Sequence, residues 1–121
     1  MATQTSYSET LSAAVAGAQA TMLPASIISR NVETAAVGFG KAVAQGTADK
    51  GCKAFGSGDT AVLGIALLDR SASGRTVTNG QLSGDTADQF GVGESARVMV
   101  KGDVWVVCAT GCSPGDPVYV R

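Results

Sequence analysis

Histidine is absent from the 121 residues. That removes Ser-His and Cys-His nucleophile pairs, most zinc sites and the only side chain that titrates near neutrality without help from its surroundings. Aromatic residues make up 5% of the chain, so the stacking platforms that a sugar site needs are scarce. Charge of one sign is also lacking: nine Lys and Arg face ten Asp and Glu, with no run of like charges. The footprint of a nucleic-acid binder or of an anionic-membrane binder is therefore missing. No stretch approaches the ~20 apolar residues needed to span a bilayer as a helix. Ala18-Gln19-Ala20 has the form of a signal-peptidase site, but nothing basic precedes it, and Glu9, Ser12 and Gly17 interrupt the stretch that should be apolar. Cysteine is sparse and odd in number: Cys52, Cys108 and Cys112. This is not the dense even framework of a small secreted domain, so a reducing compartment and free thiols are expected. A structural zinc needs four ligands, and Cys108, Cys112 and Cys52 supply three, so neither a metal nor a cofactor is expected.

Present instead are small apolar residues. The hydrophobic fraction is 45%, carried largely by alanine and valine, with 16 glycines beside them. Such a composition predicts a thin core of small and β-branched side chains in one compact unit with an arm. Residues 1–29 hold one charged residue, Glu9, whereas residues 30–121 hold the other nine acids and all nine bases. We therefore place an N-terminal arm at 1–29 and a β-barrel or sandwich domain at 30–121. Ser8 could cap a helix presenting Leu11, Val15 and Ala18 on one face. The extended arm is preferred because Gly17 weakens that helix and because small side chains lose little entropy when immobilised on another surface.

From Thr34 onward, short β-like runs alternate with glycine-rich turns, which predicts an all-β fold, a small antiparallel β-barrel or sandwich. Residues 36–43 read as one strand with a nearly bare glycine face, the mark of another backbone close by. Residues 61–68 are apolar on both sides and predict a central strand. Residues 71–95 read as a long surface loop with a short hairpin at Asn79-Gly80. Residues 96–100 and 104–109 keep a period of two around Lys101-Gly102-Asp103 and predict a tight hairpin. Ser113-Pro114-Gly115-Asp116 fits a type II turn leading into a last strand at 117–120. That strand pattern runs on to Arg121, which leads to the expectation that the polypeptide continues.

Other motifs fail on context. Gly56-Ser-Gly58-Asp-Thr-Ala61 and Gly91-Val-Gly93-Glu-Ser-Ala96 match a dinucleotide pattern, but each opens into a β-like run rather than a helix whose N-terminus could meet a pyrophosphate. Gly40-Lys41 is no P-loop, because Ala35 and Ala42 stand where a glycine and a hydroxyl are required. The acids at 49, 59, 69, 85, 88, 94, 103 and 116 stand beside glycines or at the ends of runs, as solvated turn residues do. A hydrolytic pair hidden among them is the weakest of the functional readings.

Taken together, the sequence resembles the structural cement, or head decoration, proteins of tailed bacteriophages. The likeness spans nearly the whole chain. It rests on Tyr7-Ser-Glu-Thr-Leu11, Ile27-Ile-Ser-Arg30, Val37-Gly-Phe-Gly-Lys-Ala-Val43 with Gly46-Thr47, Gly64-Ile-Ala-Leu-Leu-Asp69, Val98-Met-Val-Lys-Gly-Asp-Val-Trp-Val106 and Gly115-Asp-Pro-Val-Tyr-Val120. Residues 71–95 are longer than the usual connection in that family, and its strand pattern normally continues past the last one here. The resemblance implies a non-enzymatic virion protein on the outer capsid surface, made in the host cytoplasm. Its implied partners are the major capsid protein and further copies of itself, a trimer before a dimer. Leu11, Val15, Met22, Leu23, Ile27 and Ile28 are the candidate anchors, with Ile27 and Ile28 equally suited to covering an open end of the barrel. The rival reading is a free-standing β-barrel adhesion module that uses residues 71–95 for recognition.

Overall fold

The computed structural model describes residues 3, 5, 6, 15–72, 74–79, 81–84 and 88–120. Among them there is no helix, and the strands run β1 (Ser26–Val32), β2 (Val37–Gly38), β3 (Ala42–Gln45), β4 (Gly51–Ala54), β5 (Gly64–Ala66), β6 (Thr76–Thr78), β7 (Gln81–Ser83), β8 (Gln89–Phe90) and β9 (Ser95–Lys101). The all-β expectation holds, and the barrel form is the one adopted.

Five strands close the barrel in the order β1-β4-β3-β5-β9. Four of its seams are antiparallel, and β1 meets β4 in parallel through Asn31↔Gly51 and Val32↔Cys52. A barrel of so few strands has little interior room. The alanines and glycines account for the fit: Ala66 and Ala96 are buried among Val32, Val43, Val98 and Cys52. A side chain on Gly64 would run into the Met99 carbonyl of β9, so β5 packs there only because that position is bare. As expected, β5 is central, paired with β3 on one side and β9 on the other.

The two largest core side chains come from outside the barrel strands. Phe90 is fully buried and meets Phe39 edge to face, ring centroids 5.1 Å apart. Burying one such ring contributes about 1.5–3 kcal/mol. Phe90 belongs to the segment 71–95, expected as a surface loop. That segment instead folds back: β8 pairs with β2, Arg75 N–H donates to the Glu94 carboxylate over 2.8 Å, and the Arg75 backbone lies directly against Gly91. The hairpin expected at Asn79-Gly80 is present as β6 and β7, with Asn79 at φ 50°.

Four further expectations need correction. The last strand expected at 117–120 does not form. Residues 36–43 are not one strand, because Gly40 adopts φ 76° and breaks the run into β2 and β3. Ser26–Ser29, counted with the arm, belong to β1. The hairpin across Lys101-Gly102-Asp103 does not form a ladder: β9 already has β1 and β5 as neighbours, so the chain leaving Gly102 finds both sides of that strand taken. Within β9, Ser26↔Lys101 is followed by Ile27↔Met99, leaving Val100 as an extra, bulged residue. Val98 and Met99 are consecutive regular pairs on opposite faces and both are buried, Val98 in the core cluster and Met99 with its thioether against Gly102, whereas Val100 at the bulge is exposed.

Candidate functional site

The path of residues 15–20 is set by Gly17. Its φ of 87° lies in the region glycine favours, and it turns the backbone so that both polar groups find partners. Gly17 N–H donates to Trp105 O over 2.8 Å, and Leu68 N–H donates to Gly17 O over 2.7 Å. The segment is thus gripped between the barrel and the chain beyond β9. Trp105 N–H donates to Ala18 O and Ala20 N–H to Asp103 O, forming an antiparallel bridge at Gln19↔Val104. Thr21 Oγ1 donates to the Asp103 carboxylate over 2.8 Å. The Lys101-Gly102-Asp103 tripeptide therefore serves this junction. Val104 and Trp105, expected to return along β9, pair with the N-terminal segment instead.

This junction gathers exposed apolar side chains. Among the described residues, every large hydrophobic residue that is exposed, apart from Ile27, Val62 and Val100, lies in 15–23 or 105–120. In the first segment these are Val15, Met22 and Leu23, with Met22 fully exposed; in the second they are Trp105, Val106, Val107, Val118, Tyr119 and Val120. Of the anticipated anchors, Val15, Met22 and Leu23 stand out on the surface. Ile27 is partly exposed on β1, Ile28 packs against the core, and Leu11 lies outside the described residues. The structure thus divides the isoleucine pair, with Ile28 serving the barrel. The C-terminal apolar stretch was missed as a surface because alternating valines signal a strand without saying whether its partner belongs to the same chain.

The polar groups, in contrast, are spent on turns. Glu33 accepts from Thr47 N–H, Thr47 Oγ1 and Ala48 N–H, and those backbone donors hold its carboxyl below the ordinary range. Asp59 accepts from Lys53 Nζ at 2.8 Å and from Gly56 N–H, which lower it in that order. Asp69 accepts from the hydroxyl and N–H of Ser71 and is lowered likewise. Asp116 accepts from Ser113 N–H, closing the expected turn with Gly115 at φ 92°. Both dinucleotide-like motifs are β-turns, with Asp59 N–H donating to Gly56 O and Glu94 N–H to Gly91 O. Among the described residues no group of three or more Cys, Asp or Glu is placed to hold a metal ion. A shallow groove of about 290 Å³ lies between β2 and Phe55, with Val120 on its wall.

The family described as structural cement protein (E217 gp24/Pam3 gp6) matches residues 3–121. A comparison with curated proteins finds no match.

Proposed function

The chain belongs to the phage structural cement protein family, and from that premise we propose that it binds the outer surface of an assembled capsid and cements neighbouring capsid subunits. It acts as a homo-oligomer, a trimer before a dimer, on the major capsid protein. The observation that carries this reading is the gathering of exposed apolar side chains on two terminal segments that are bonded together at Gly17 and Trp105. Exposed apolar surface gathered in this way marks a site that a partner covers. The mechanism is linkage: a protein that binds only the assembled shell stabilises it by mass action, and several weak footholds in one oligomer add avidity. Val15, Met22 and Leu23 are the proposed capsid anchors, with Ile27 beside them. Leu11 is proposed with them from sequence alone.

The test replaces Val15, Met22 and Leu23 with Asp. These side chains are exposed, so the barrel keeps its fold, and co-sedimentation with purified heads is expected to fall at least tenfold, a change of about 1.4 kcal/mol. Heads carrying the wild-type protein are expected to resist heat better than bare heads. Undiminished co-sedimentation of the triple variant would refute the assignment. Deleting residues 1–29 is a poorer test, because it removes half of β1.

A further inference from the structure

We infer that the C-terminal segment is exchanged between copies of this chain, with residues 106–120 of one copy lying on the barrel of another and Val120 seated in the groove beside β2. This deepens the self-association in the proposed function and names the surface responsible for it.

Three observations converge. After Trp105, the backbone makes no hydrogen bond to the barrel among the described residues; its bonds are Asp116 N–H to Ser113 O and Ser113 N–H to the Asp116 carboxylate, both inside its own turn. A strand-forming sequence with its ladder groups unpaired is a template awaiting a partner. The side chains it carries are exposed: Val107 by 77%, Val118 by 89% and Tyr119 by 82%. The far end nevertheless touches the body: Val120, still 42% exposed, lines the groove formed by Ala36, Val37, Ala42, Ala54 and Phe55, with Lys41 also on its wall. That groove adjoins β2, which pairs with β8 on one side, while on the other the Gly38 carbonyl accepts from Lys41 N–H.

A second copy of this chain is the occupant these facts select. The groove already accepts this chain's own Val120, so the chemistry of the contact is present on the page. Among the described residues, 106–119 make no hydrogen bond to the barrel, so the same contact made in trans loses nothing that the contact in cis provides. Exchange of an identical element is a low-cost route to oligomers for this reason.

The experiment uses full-length chains in a Cys108→Ser, Cys112→Ser background. One chain carries Ala54→Cys and a second, distinguishable by a tag, carries Val120→Cys. The two are unfolded together, refolded and oxidised with oxidised glutathione. Exchange is expected to give a covalent heterodimer between them. In parallel, light scattering of the wild-type chain without capsids is expected to give a multimer. The variant Val118→Asp, Tyr119→Asp, Val120→Asp is expected to give the mass of one chain that still unfolds cooperatively, at a melting temperature that no longer depends on protein concentration. A chain that is oligomeric and cross-linked in trans yet fails to bind heads supports exchange and counts against the proposed function alone. The inference is overturned if the heterodimer is absent while an Ala54→Cys, Val120→Cys double variant closes within one chain. It is also overturned if the free chain is a monomer whose Val120 becomes protected only on capsids.

Discussion

Gly17 and Gly40 meet backbone to backbone: a Cβ on Gly40 would lie 2.8 Å from the Gly17 nitrogen, and a Cβ on Gly17 would lie 2.9 Å from the Gly40 nitrogen. Both residues have positive φ, 87° and 76°. This pair fixes the N-terminal segment on the barrel, and through Trp105 it fixes where the C-terminal segment departs.

Alanine at Gly17 therefore meets both a steric clash and a conformational cost of about 1–2 kcal/mol. The clash falls on the junction, not on the five barrel seams. The expected outcome of Gly17→Ala is faster protease cleavage among residues 15–25 with the barrel still folded. Hydrogen exchange checks it: the Leu68 amide, which donates to Gly17 O, should lose protection while Leu67, which donates to Arg97 O, keeps it.

Glu33 links the end of β1 to the turn between β3 and β4. Its folded carboxyl titrates below the ordinary value of 4.5, so the unfolded chain binds the proton more readily. The stabilisation is then fully present above that value and is lost as pH falls through the depressed one. Glu33→Gln is expected to lower Tm by a few degrees at pH 7. The gap between the two proteins should close as the pH is taken well below 4.5, as thermal melts across a pH series would reveal.

Phe90 fills the core from a segment whose composition reads as loop. Phe90→Ala should cost about 3–5 kcal/mol, a large share of the 5–15 kcal/mol typical of a domain. Urea denaturation is expected to show the midpoint falling sharply, and Phe90→Leu should recover much of the loss. A substitution at Phe90 with no effect would mean that residues 71–95 are peripheral to folding.

Thiol titration separates the three cysteines. Cys108 and Cys112 are exposed, whereas Cys52 is buried, its thiol pushed up by desolvation and by the Glu33 charge. The native protein should release two equivalents rapidly with a thiol reagent and the third only after denaturation. Cys112, held up by its hydrogen bond and charge interaction with Cys108, is expected to be slower to react than an isolated thiol.

These predictions show where sequence and structure part. Turn chemistry was legible: Asn79-Gly80 and Pro114-Gly115 demand particular backbone angles, and those angles do not depend on distant partners. The bare face at Gly38 and Gly40 also spoke truly, since at Gly40 the neighbouring backbone is that of Gly17. Pairing was less legible, because it is a property of two segments. The alternation at 104–109 shows a wish to be a strand but carries no address, and the bulge at Val100 is invisible until β1 lies opposite. Phe90 stood alone among glycines and polar residues, so no periodicity marked it as core. At the candidate site, Val15, Met22 and Leu23 were named from the sequence as anchors, whereas 104–109 and 117–120 were read only as strands, because apolar alternation describes a buried face and a docking face in the same letters.

The closing seams of the barrel carry a further consequence for how the molecule is made. β1 is among the first segments to be synthesised and β9 among the last described, yet β9 joins β1 to β5. Until β9 has been synthesised, β1 and β5 each present a raw edge, and contacts so remote along the chain are slow to form. Newly made chains therefore pass through an interval in which they are prone to stick to one another, and the rate of that last closure sets how many become usable.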